Sequence, residues 1–168
     1  MGAFLVENRI IVDDEPTITK LHQKGFGERE NNRLELSLLE GLFLIERGSL
    51  TVREKKGGRE VTADDIIERV QEEDFHIKYK VYKDLRERGL VVRTGLKFGA
   101  HFRVYDRGDF PKKHSKYLVH AVPESRVLEF PEVSRAVRLA QGVKKNMIFA
   151  IVDDEGDVTY YSIERVTP

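Results

Sequence analysis

Leu90-Val-Val-Arg-Thr-Gly-Leu-Lys-Phe-Gly-Ala-His-Phe-Arg-Val-Tyr105 is where the chain changes period. Ahead of it apolar residues recur at helical spacing, and from Leu90 they alternate, so the stretch predicts a domain boundary after Gly89. Residues 90–93 read as a strand, Gly95 and Gly99 bracket a turn, and 101–105 read as a second strand. Downstream, 116–122 alternates again until Pro123. Pro131 then sits at the first position of a helix with Val133, Ala136, Val137 and Ala140 on its buried face, Arg135 and Arg138 outside it, and Gly142 as its stop. Two closing strands, 147–152 and 158–163, are joined by the turn Asp153-Asp154-Glu155-Gly156-Asp157. The expected class is α+β: an N-terminal helical or mixed α-β domain over residues 1–89, then a C-terminal α/β domain over 90–168 with a mixed sheet flanked by helices.

Working upstream, residues 74–88 form a helix in which Ile77, Val81 and Leu85 are spaced by four, stopped by Gly89. Thr62 caps a shorter helix, with Asp65 at its third position and Ile66, Ile67 and Val70 facing inward. Lys56-Gly-Gly-Arg59 turns a hairpin between residues 50–54 and the strand leading to Val61. A further helix is expected from Asn32 to about Gly48, capped by Asn32 and Glu35, with Leu34, Leu38, Leu39, Leu42 and Ile45 as its stripe. Short strands are expected over 4–12, and the charged, glycine-containing segment between them and Asn32 carries little signal.

The 168 residues are 40 % apolar and 35 % charged, the balance of a globular protein with a surface rich in ion pairs, as met in heat-adapted proteins. Cysteine is absent, which removes disulfides, thiolate metal sites and cysteine nucleophiles and fits a reducing, cytoplasmic setting. No apolar run approaches the roughly 20 residues that span a bilayer, and the N-terminus lacks a signal-peptide pattern, so no membrane partner is expected. The 29 basic and 29 acidic residues cancel, yet unevenly: residues 1–89 hold 16 against 19, a net of −3, and residues 90–152 hold 12 against 5, a net of +7. The second region is electropositive, and the acidic turn 153–157 follows it directly.

Within that region Tyr105 ends a strand, His114 precedes the next, and Lys145 follows a helix. Transfer of an RNA phosphodiester to the adjacent 2′-hydroxyl needs a base, an acid for the leaving oxygen and a cation for the developing charge, and these three residue types supply one of each without a metal. Taken singly, each has a plainer explanation: a packed tyrosine, a surface histidine, and a lysine complementing a helix C-terminus. The histidines at 101, 114 and 120 have no carboxylate or thiolate at ligand spacing, and Asp153 and Asp154 lack the companions of a Mg²⁺ nuclease, so neither metal nor cofactor is expected.

Gly95 to Tyr105, His114-Ser-Lys-Tyr-Leu-Val119, Arg138-Leu-Ala-Gln-Gly-Val-Lys-Lys145 and the closing Val158-Thr-Tyr-Tyr-Ser-Ile163 together resemble the archaeal tRNA-splicing endonucleases, also called tRNA-intron endonucleases, over residues 90–168. The resemblance implies cleavage of precursor tRNA at a bulge-helix-bulge, leaving a 2′,3′-cyclic phosphate and a 5′-hydroxyl without metal, by a homotetramer of short subunits. It puts the family's tyrosine on Tyr105, its histidine on His114 and its lysine on Lys145. The family reads Val-Arg-Lys where this chain has Val143-Lys144-Lys145, so Lys144 is the competing lysine. The resemblance further implies an arginine pair that stacks on an extruded base, assigned to Arg138 and Arg165, and an acidic loop used in assembly, assigned to Asp153, Asp154, Glu155 and Asp157.

Two other readings stand beside this one. Residues 62–98 supply two helices and a strand pair in winged-helix order, with Lys78, Lys80, Lys83, Arg86 and Arg88 on the second helix, as in a DNA-binding protein. A non-catalytic RNA-binding subunit of a splicing endonuclease is the third.

Overall fold

Leu34 and Leu36 are both fully buried while Arg33 and Ser37 are exposed, which is the spacing of a strand rather than of a helix. The helix expected from Asn32 therefore begins later, at Leu38–Glu46, where Ser37 and Glu40 form a reciprocal capping box. The competing motif won because Asn31-Asn32 is a two-residue hairpin turn, with Asn31 in the left-handed conformation (φ 54°) that asparagine tolerates.

The computed structural model describes residues 2–168 and resolves two units, one ending at Glu73 and the other running Asp74–Pro168. In the first unit the order is β1 (Ala3–Val6), β2 (Arg9–Val12), α1 (Glu15–Gln23), β3 (Glu28–Glu30), β4 (Arg33–Ser37), α2 (Leu38–Glu46), β5 (Val52–Arg53) and α3 (Ala63–Arg69). Its sheet runs β3-β4-β2-β1-β5, antiparallel except for the β1–β5 pair. Helix α1 lies in the stretch that carried little sequence signal. Asp14 caps it by accepting from the Thr17 backbone N–H at 3.2 Å, and only Ile18 and Leu21 anchor it in the core. Thr62 and Asp65 cap α3 as expected, and Asp65 is held down to about 2 by the Thr62 backbone N–H and by Arg59. Ile66 is fully buried but Ile67, expected to face inward, is 53 % exposed, because adjacent helical residues point to different sides and α3 buries only the side that carries Ile66.

The second unit holds α4 (Phe75–Glu87), β6 (Val91–Thr94), a 3-10 turn (Leu96–Phe98), β7 (Phe102–Tyr105), β8 (Tyr117–Pro123), α5 (Phe130–Gly142), β9 (Asn146–Val152) and β10 (Val158–Ile163). Its sheet order is β10-β9-β8-β7-β6, with β8 and β9 parallel and joined through α5, and the other pairs antiparallel. Helix α5 lays Val137 and Ala140 on Leu118, Val122, Met147 and Phe149. Helix α4 packs against β6, β8, β9 and β10, with Tyr82 against Phe102 at 5.8 Å. It therefore groups with the second unit, ahead of the boundary expected after Gly89. Two of its basic residues are also engaged locally: Arg86 donates to the Val92 carbonyl at 3.1 Å, and Arg88 pairs with Asp84 at 2.8 Å, which ties them to this unit rather than offering them as a DNA-reading face.

Gly95 opens the turn between β6 and β7 and cannot be replaced without movement. A Cβ there would lie 2.7 Å from the Phe102 carbonyl carbon and 2.9 Å from the Ala100 oxygen, both backbone.

Candidate active site

Strand register gathers one end of the second sheet. Val104 pairs with Tyr117, and Tyr117 pairs with Asn146, so the residues just beyond those positions share one edge. Two backbone bonds extend the ladder by a step, Lys116 N–H to the Val104 carbonyl and Asn146 N–H to the Lys116 carbonyl, each 2.9 Å. Tyr105 is the last residue of β7, His114 and Ser115 precede β8, and Lys145 precedes β9.

Tyr105 is buried to 8 % exposure, with the Phe110 ring edge-on at 5.1 Å. His114 is exposed on the connection between β7 and β8, followed at once by the buried Ser115. The Lys145 ammonium donates to the Ser115 carbonyl at 2.7 Å and lies 5.4 Å from the centroid of the Phe98 ring in the 3-10 turn. Burial, reinforced by the charge of Arg103, holds its pKa below the ordinary lysine value.

The end of α5 explains which lysine is aimed here. Gly142 is the last helical residue, but the left-handed position falls two residues later, on Lys144 (φ 58°). The Lys144 N–H bonds the Gln141 carbonyl at 3.0 Å and the Lys145 N–H bonds the Ala140 carbonyl at 2.9 Å, the two bonds of a Schellman motif. Lys144 is exposed at that turn, whereas Lys145 is delivered to the head of β9 with its ammonium on the residue after His114.

Arg138 is exposed on α5. One turn later Gln141 donates to the Arg165 carbonyl at 3.4 Å, so the chain at Arg165 runs beside the last turn of the same helix. Arg138 and the backbone at Arg165 are thus both placed along the last two turns of α5. The acidic turn lies at the opposite end, beyond the carboxyl ends of β8 and β9. There it joins Pro123, His76, Lys80 and Arg126 around a cavity of about 620 Å³ that contains none of Tyr105, His114 or Lys145. Asp153 is used by the turn itself, accepting the Glu155 and Asp157 backbone N–H groups at 2.9 Å each, while Asp154, Glu155 and Asp157 are exposed. Among the described residues no group of three or more His, Asp or Glu could hold a metal ion, and no helix is long and apolar enough to cross a membrane.

Residues 75–160 match the family model for the tRNA intron endonuclease catalytic C-terminal domain, and residues 1–67 match the model for the N-terminal domain of the same enzymes. The chain belongs to the tRNA intron endonuclease family. Similar proteins named tRNA-splicing endonuclease include one from Thermococcus gammatolerans, 46 % identical over 97 % of this chain and 96 % of its own. Another from Pyrococcus furiosus is 42 % identical over 96 % and 94 %, and one from Methanothermobacter thermautotrophicus is 42 % identical over 89 % and 88 %. The family's catalytic domain begins with α4, the helix that covers the sheet carrying Tyr105, His114 and Lys145. This likeness sets aside the winged-helix reading.

Two neighbours of Lys145 escaped the sequence reading, Phe98 and Arg103. Phe98 lies within the quoted motif with no chemistry of its own to mark it. Arg103 had a legible signal, since residues two apart on a strand share a face and Arg103 stands two before Tyr105.

Proposed function

We propose that the protein is an endoribonuclease that cleaves precursor tRNA at bulge-helix-bulge intron boundaries, leaving 2′,3′-cyclic phosphate and 5′-hydroxyl ends by metal-independent acid-base catalysis. The observation that carries this reading is the Lys145 ammonium, drawn partly out of water and bonded to the residue after His114 at the sheet end where Tyr105 finishes β7. The names of the relatives, tRNA-splicing endonuclease, support the substrate class.

In the reaction the 2′-oxygen attacks phosphorus as its proton passes to Tyr105. The bond from phosphorus to the 5′-oxygen breaks, and His114 gives that oxygen a proton. Lys145 stabilises the negative charge that builds on the non-bridging oxygens. Arg138 and Arg165 hold an extruded bulge base between guanidinium planes, recognition by shape rather than by sequence.

Incubation with a bulge-helix-bulge RNA in EDTA, followed by end-group analysis, tests the reading. The expected fragments carry cyclic phosphate and 5′-hydroxyl ends. Fragments with 3′-hydroxyl and 5′-phosphate ends, or a strict need for a divalent ion, would overturn it, and binding without cleavage would make this a non-catalytic RNA-binding subunit.

The assembly is a homotetramer in which exposed Asp154, Glu155 and Asp157, on a turn shaped by Asp153, enter a basic groove of another subunit. Charge reversal of those three residues is expected to lower the mass found by light scattering in low salt. A wild-type protein that is monomeric in both low and high salt would rule this interface out.

A further inference from the structure

Arg103 leaves the same face of β7 as Tyr105 and stands directly opposite Arg93 across the β6–β7 pair. Like charges facing one another across a sheet repel and weaken the pairing. Arg93 lies over the Phe110 ring at 5.9 Å. Arg103 lies 5.9 Å from the Tyr105 ring centroid, and its Nε is buried with no hydrogen-bond partner. Among the described residues neither Arg103 nor Lys145 is in an ion pair with a carboxylate, although the charge of one is felt by the other. The charges of Arg103 and Lys145 held near one another, with the Arg103 Nε buried and unsatisfied, are costly, and an anion seated between those two groups would remove both defects.

We propose that Arg103 is a fourth group of the cleavage centre, donating from its guanidinium to a non-bridging oxygen of the scissile phosphate on which Lys145 also acts. The inference rests on the endonuclease reading of the same site. The two cations divide the work by their chemistry. Lys145 supplies a compact charge, and Arg103 a planar fork that fixes the phosphate's orientation for in-line attack.

The experiment compares wild type, Arg103→Met and Arg103→Lys in single-turnover cleavage of a bulge-helix-bulge RNA. Binding of the same RNA with 2′-deoxy groups at the cleavage sites is then followed across a salt series. Arg103→Met is expected to slow cleavage on the order of a hundredfold. The slope of log affinity against log salt should become shallower by about 0.9, one phosphate contact. Its melting temperature should equal or exceed that of wild type, since a buried unsatisfied donor is gone, and Arg103→Lys should recover part of the rate. Parental cleavage by Arg103→Met in an active background would sink this assignment alone. So would a slow variant with an unchanged salt slope and a lowered melting temperature, the signature of a purely structural arginine. An inert wild type would instead sink the endonuclease reading and this assignment with it.

Discussion

His114→Ala is expected to cleave a bulge-helix-bulge RNA about a hundredfold or more slowly than wild type, with affinity for the uncleaved RNA nearly unchanged. A hundredfold corresponds to about 2.7 kcal/mol of activation free energy. The substitution is well placed to report chemistry alone, because His114 is exposed on the loop before β8 and no core contact is lost. The next residue, Ser115, stays buried, and its carbonyl remains available to the Lys145 ammonium. Proton donation to the leaving oxygen predicts a specific rescue. An RNA whose 5′-leaving atom is sulfur expels a stable thiolate without a proton, so it should be cleaved at similar rates by wild type and His114→Ala. Wild-type rates on ordinary RNA in the variant would remove His114 from the mechanism.

The C-terminal half of the molecule was readable because its strands alternate cleanly and its turns carry glycine, proline or a run of acids. The hairpin of β9 and β10 and the helix begun near Pro131 stand where those signals put them. The N-terminal half misled where two periods overlap. Leu34, Leu38 and Leu42 have a helical spacing of four, but Leu34 belongs with Leu36 to β4, and Ser37 marks the true break. Helix α1 had its cap and a proline in the first turn, yet only two buried apolar residues, too few to stand out among charges. The same contrast holds in the site. Tyr105, His114 and Lys145 are visible as residue types within a motif, and the spacing of Arg103 from Tyr105 puts the two on one strand face, whereas the approach of Arg103 to Arg93 and Lys145 depends on how the strands pair and pack. Which of Lys144 and Lys145 reaches the Ser115 carbonyl likewise depends on backbone conformation. A left-handed residue at a helix end is usually glycine, and here a lysine fills the position.

Lys145→Met should have the largest effect, lowering single-turnover cleavage on the order of a thousandfold, while Lys144→Met stays within a few-fold of wild type. Methionine preserves the length and apolar stem that lie beside Phe98, so the loss isolates the charge. The pH dependence gives a second, independent signature. In the proposed mechanism the lysine acts as the ammonium, and burial together with Arg103 lowers its pKa from the ordinary value. The active protonation state is therefore fully present at low pH and is lost as pH rises through that depressed pKa, so the alkaline limb of the rate profile should fall earlier than an ordinary lysine would allow. Removing the neighbouring charge raises the Lys145 pKa again. Whatever rate Arg103→Met retains should consequently persist to higher pH than in wild type, a shift in the opposite direction from simple loss of activity. Slow cleavage by Lys144→Met beside a near-parental Lys145→Met would transfer the role to the exposed lysine and break the link between the ammonium on the Ser115 carbonyl and the reacting phosphate.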